Sequence, residues 1–171
     1  MRKLVVLFAA LAVISFAPAV LADGTDTENM SVSANVHTSC VIDSASELAF
    51  GTYDNSAIST TSTILVTCVA ADAKAALALG DGENWIAGAG APQPRRLKSA
   101  QTADHFLTYN LKVTNASGTC WGGTNTCSTA HSEDVTQNAE QQTFTVYGSI
   151  PASQGLYAGS YSDSVLVTVT F

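Results

Sequence analysis

Charge is what this sequence has least of. Only 12% of its 171 residues are charged, and seven Lys and Arg stand against fourteen Asp and Glu. Phosphate recognition needs clustered cations to displace counterions, so a nucleic-acid partner is excluded. Proline is scarce at four residues, and no heptad, collagenous or solenoid repeat occurs. The motifs GxSxG, HExxH, GxxxxGKS/T and GxGxxG are all missing, which removes the usual nucleophile, zinc-protease, phosphate-loop and dinucleotide signatures. Neither CxxC nor HxxxH spacing is present, so zinc is not expected. The remaining polar clusters read as loops rather than sites. His131-Ser132-Glu133-Asp134 lies in a polar stretch, Asp104-His105 precedes a strand, and Gly80-Asp81-Gly82-Glu83-Asn84 is a turn without the alternating oxygen ligands of a calcium loop. The expectation is a protein with no catalytic residues, no metal and no cofactor.

The start of the chain carries an address. Arg2-Lys3 is followed by the apolar run Leu4 to Phe16 and by Val20-Leu21-Ala22 ahead of polar Asp23, the pattern of a cleaved secretory signal peptide over residues 1–22. A membrane span would need about 20 apolar residues. Without that segment five basic residues face fourteen acidic ones, a net charge of −9. The remaining 149 residues suffice for one domain. Cys40, Cys68, Cys120 and Cys127 all lie in the exported part, and an even number in an oxidising compartment reads as two disulfides. Three pairings are possible. Cys40 with Cys68 and Cys120 with Cys127 is favoured, because the second pair closes the Gly-rich loop WGGTNT and the first ties two early strands together.

The chain holds 18 Ser and 20 Thr, a composition suited to half-exposed strands. Two-residue alternation recurs along it. Met30, Val32, Ala34 and Val36 fall on one face of 29–37, which reads as a half-buried strand. Further strands are expected at 40–42 and 47–53 with a kink at Asp43-Ser44, then at 60–71, 74–79, 106–113 and 143–150. The last, 161–171, places Val165, Val167, Val169 and Phe171 on one face. Residues 84–94 and 115–138 read as loops. Six or seven strands separated by turns indicate an all-β, immunoglobulin-like sandwich. Trp85 and Trp121 are the residues that could stack on a sugar, and core packing is the favoured role for both. An outer-membrane barrel also suits a terminal Phe on an alternating strand, but four cysteines and the absence of lipid-facing strands with aromatic girdles argue against it.

The second half resembles a known family. Tyr147-Gly148, Ile150-Pro151, Gly155, Tyr157, Gly159-Ser160-Tyr161, Asp163 and the alternating Val165, Val167, Val169 and Phe171 look like the C-terminal signature of spore coat protein U domains. That family also supplies subunits of archaic, Csu-type chaperone-usher pili. Leu77 to Gly82, Arg96, Tyr109-Asn110-Leu111 and Trp121-Gly122 follow in the family's order, and Cys40 with Cys68 fits its first disulfide. Lys112-Val113-Thr114 and the Cys120/Cys127 loop depart from its pattern.

The resemblance implies an incomplete, pilin-type β-sandwich completed by donor-strand exchange. Residues 23–38 would be the N-terminal donor extension, with Met30, Val32, Ala34 and Val36 as plugs, and 39–171 the sandwich domain. Val165, Val167, Val169 and Phe171 would form the acceptor and chaperone-binding edge. The implied partners are identical or related subunits, a periplasmic chaperone and an outer-membrane usher, with passage through the periplasm to the cell surface. The implied role is that of a shaft or adaptor subunit in surface attachment and biofilm formation. A monomeric carbohydrate-binding sandwich or a spore or cell-coat protein is the alternative.

Overall fold

The computed structural model describes residues 24–69, 74–86, 90, 92–155 and 157–171. The expected signal peptide at 1–22 lies outside them. By its internal contacts the chain divides into two units, residues 1–34 and 35–171.

In the first unit, residues 24–34 are exposed and carry no strand. Met30 and Val32 are 84% and 81% exposed, and Val36, at the start of the second unit, is 82% exposed. The half-buried strand expected over 29–37 therefore does not form among the described residues. A strand persists only where its backbone and its apolar face both find a partner, and this segment has neither.

The second unit is all-β, with no helix among the described residues. Its strands are β1 (Ser39–Ala45), β2 (Ile58–Val69), β3 (Ala75–Leu79), β4 (Arg95–Ser99), β5 (Phe106–Lys112), β6 (Glu133–Val135), β7 (Gln141–Ile150), β8 (Tyr161–Ser162) and β9 (Val167–Thr170). A six-stranded sheet runs β1-β2-β7-β5-β4-β8 and a three-stranded sheet runs β6-β3-β9. Every pairing is antiparallel. Among the described residues neither sheet closes on itself, so this unit is a sandwich and not a closed barrel.

Alternation builds the core. Ile64, Val66 and Cys68 of β2 turn inward, as do Ala75, Leu77 and Leu79 of β3 and Leu107, Tyr109 and Leu111 of β5. The Ala-rich β3 has helical propensity, yet ladders to β6 and β9 on either side override it. The kink expected at Asp43-Ser44 appears as a register shift between Ile42 and Ser44. Both favoured disulfides form. Cys40 and Cys68 are directly opposed across β1 and β2, and Cys120–Cys127 closes its short loop.

Four expectations change within this unit. The segment 84–105 contains an unanticipated strand, β4, and the loop expected over 115–138 contains another, β6, because Glu133–Val135 finds a ladder partner in β3. The final strand is broken: Tyr161–Ser162 pairs with β4 in the large sheet, whereas Val167–Thr170 pairs with β3 in the small one. Residues 163–166 carry the chain from one sheet to the other. Residues 47–53 enter no ladder, although Leu48, Phe50 and Tyr53 pack against the core.

Candidate functional site

An open groove separates two parts of the second unit that a complete sandwich would join. One wall is the extended segment 45–54, and the other is formed by 157–163 with Val165 and Val167. Ile64, Leu79, Leu107, Tyr109, Leu111 and Val146 lie along its floor. Its volume is about 1020 Å³, ample for a row of aliphatic side chains. The sheets approach each other where β1 nears β9 and part along the groove.

Beyond Ala45, which ends β1, and the Ser46 N–H bond to the Thr63 carbonyl, the first wall is held by side chains rather than by a ladder. Leu48 and Phe50 sit over Gly148, where an added β-carbon would stand 2.5 Å from Leu48 Cδ2 and 2.8 Å from Phe50 Cζ. The Tyr53 hydroxyl donates to the Pro151 carbonyl at 2.6 Å. Glycine inside a strand marks such a close approach, and Gly148 within the strong β7 pattern is the signal that locates this wall.

The second wall presents unused backbone. The Gly80 N–H donates to the Leu166 carbonyl at 2.8 Å and the Glu83 N–H to the Ser164 carbonyl at 3.0 Å. Antiparallel ladders alternate by two, so residues 164, 166, 168 and 170 face β3 and the turn beyond it. The N–H and C=O groups of Val165, Val167 and Val169 point the other way, and among the described residues β9 pairs only with β3. The side chains of these three valines turn toward the core. Val165 and Val167 line the groove, Val169 packs against the core beyond it, and Phe171 is 52% exposed.

A polar frame supports this wall. Arg95 is 1% exposed. Its guanidinium donates to the Gly80 carbonyl at 2.8 and 2.5 Å and to the Trp121 carbonyl at 2.9 Å. Burial lowers its pKa from the ordinary value, opposed by the nearby Tyr109, Asp81 and Asp163. Asp81 accepts from Asn125 and Thr126 of the Cys120–Cys127 loop. Tyr109 donates to Asp163 Oδ2 at 2.7 Å. Burial, then that hydrogen bond, push its phenol far above the usual tyrosine range.

Trp121 is wholly buried and donates its indole N–H to the Leu77 carbonyl at 3.2 Å, so it is core and offers no platform for a sugar. His131 pairs with Glu133, and the His105 ring lies against Tyr157 at a 44° tilt with ring centroids 3.9 Å apart. The groove draws together Val165 and Val167, while Met30, Val32, Ala34 and Val36 stand exposed. The signature residues Tyr109 and Asp163 meet at the groove's edge, and Gly148 lies beneath its opposite wall.

The spore coat protein U domain model matches residues 26–168. Protein U of Myxococcus xanthus is 34% identical over 175 residues, covering 95% of this chain and 93% of that protein. The chain belongs to the spore coat protein U domain family. The domain is also similar to a chain of the CsuC–CsuE chaperone–tip adhesion subunit pre-assembly complex from the archaic chaperone-usher Csu pili of Acinetobacter baumannii. There the TM-score is 0.54 at 25% identity, over 80% of this chain and 40% of the other. This spore coat protein U domain chain thus spans well under half the length of that solved chain. Its sandwich is of the incomplete, pilin type.

Proposed function

We propose that this chain is an exported structural subunit that polymerises by strand exchange, residues 27–36 of one copy entering the groove of the next. One observation carries the reading. Among the described residues, the same chain has an unpaired β9 edge beside an apolar groove and an unpaired segment with four alternating apolar residues, Met30, Val32, Ala34 and Val36. The two match in parity. On β9 the residues with free backbone groups are also those facing inward, so an added antiparallel strand would set its plugs in the groove while its backbone pairs with Val165, Val167 and Val169. Full burial of a Val or Met side chain is favourable by about 1.5 to 3 kcal/mol. Four plugs and a ladder make a junction that dissociates slowly.

The resemblance to the Csu complex supports a periplasmic chaperone as the groove's occupant in transit, an outer-membrane usher as the site of exchange, and the cell surface as destination. We read the subunit as a shaft or adaptor component that serves attachment and biofilm formation. The family description favours a second form of the same assembly, a spore or cell-surface coat. Electron microscopy of the producing cells separates fibres from a continuous layer.

The test is co-expression with the cognate chaperone, followed by release. The expected results are a 1:1 soluble complex and then a ladder of SDS-resistant oligomers. Val165→Asp with Val167→Asp should abolish both. An unaltered ladder in that double variant overturns the proposal.

A further inference from the structure

Asp163 occupies the point where the chain leaves β8 for β9, and its carboxylate is divided between two elements. Oδ2 accepts from Tyr109 of β5 at 2.7 Å. Oδ1 accepts from Asn84 twice, from its backbone N–H at 3.2 Å and from Nδ2 at 2.9 Å. Asn84 is itself fixed, since Nδ2 also donates to the Ser162 carbonyl at 3.2 Å and the Arg96 guanidinium donates to the Asn84 carbonyl at 2.9 and 2.6 Å. Gly82, at φ +88°, leaves the space that the carboxylate fills, and any β-carbon there would collide with it.

These bonds set the phase of the chain as it enters β9. Directly after Asp163, Ser164 and Leu166 turn their carbonyls to Glu83 and Gly80, which leaves Val165 and Val167 facing the groove. A slip of one residue would exchange every face, turning the 73% exposed Leu166 inward and the free backbone groups of Val165 and Val167 away from the donor. The anchor is a carboxylate whose two oxygens both accept. An amide of the same shape has a single acceptor oxygen.

We propose that Asp163, held by Tyr109 and Asn84, is a positioning residue that keeps the acceptor edge in register before any donor strand arrives. The inference rests on the strand-exchange reading. A bound donor holds the edge through its own ladder, so loss of the anchor slows capture and leaves release unchanged. A residue that only stabilised the fold would not divide the two rates in this way.

The test uses a labelled peptide of residues 27–38 and the full mature chain, freshly refolded at low concentration so that the peptide outruns self-assembly. Asp163→Asn and Tyr109→Phe should each lower the association rate about tenfold, the fraction by which a competent state is depleted, with dissociation unchanged within about twofold. Should Asp163→Asn fail to fold, Tyr109→Phe, which removes one hydroxyl, carries the same expectation. Equal association rates in the variants and the parent, or an effect on dissociation alone, overturn the positioning role while leaving strand exchange intact. A parent chain that captures no peptide overturns the strand-exchange reading itself.

Discussion

Gly148 lies directly beneath Leu48, so close that a β-carbon at 148 would stand 2.5 Å from Leu48 Cδ2. Strand β7 is therefore thinned at one point to seat a segment that has no ladder of its own. The wall of the groove depends on that seat.

Gly148→Ala should displace Leu48 and Phe50 and lower stability by about 1 to 3 kcal/mol, the usual cost of overpacking. Denaturant titration measures the loss. The same variant should make 45–54 more accessible to proteolysis, while a control Gly155→Ala, where no atom lies within 4 Å, leaves digestion unchanged.

Arg95 reaches the backbone of two separate segments, at Gly80 and at Trp121. Arg95→Ala removes the donors of the buried Trp121 carbonyl and the part-buried Gly80 carbonyl. At about 1 to 3 kcal/mol for each orphaned group, the loss should reach at least about 2 kcal/mol. Arg95→Lys should fall between the parent and Arg95→Ala, since an ammonium lacks the planar fork that spans both acceptors. The shift in urea midpoint checks the order.

Tyr109 gives the protein a defined alkaline limit. Its hydroxyl is held protonated by burial first and by the bond to Asp163 second. Below about pH 10 both folded and unfolded chains keep the proton. Above it the unfolded chain loses the proton first, so stability falls as pH rises. Urea midpoints between about pH 9 and pH 11.5 should fall more steeply for the parent than for Tyr109→Phe.

Much of the fold was legible from period alone. The inward residues of β2, β3, β5 and β7 follow two-residue alternation, and the apolar beat of Leu48 and Phe50 is equally clear. What failed for 47–53 was the ladder, because among the described residues no strand pairs with that segment. Strand β4, RRLKS, offers one aliphatic residue, and its first inward side chain is an arginine satisfied by carbonyls, so a hydrophobic pattern could not reveal it. The break between β8 and β9 is hidden for the opposite reason. Alternation runs unbroken through Tyr161, Asp163, Val165 and Val167, and the change of sheet is enforced by hydrogen bonds to Asp163 from Tyr109 and Asn84, residues distant in sequence.

The central claim is that one copy's extension completes another copy's sandwich, and the most direct measurement mixes two variants. One lacks residues 23–36 and keeps the groove. The other carries Val165→Asp and Val167→Asp and keeps the extension. Strand exchange predicts that neither forms oligomers alone and that the mixture gives a 1:1 dimer by light scattering that grows no further. Polymers from the deletion variant alone, or a mixture that stays monomeric, would contradict it.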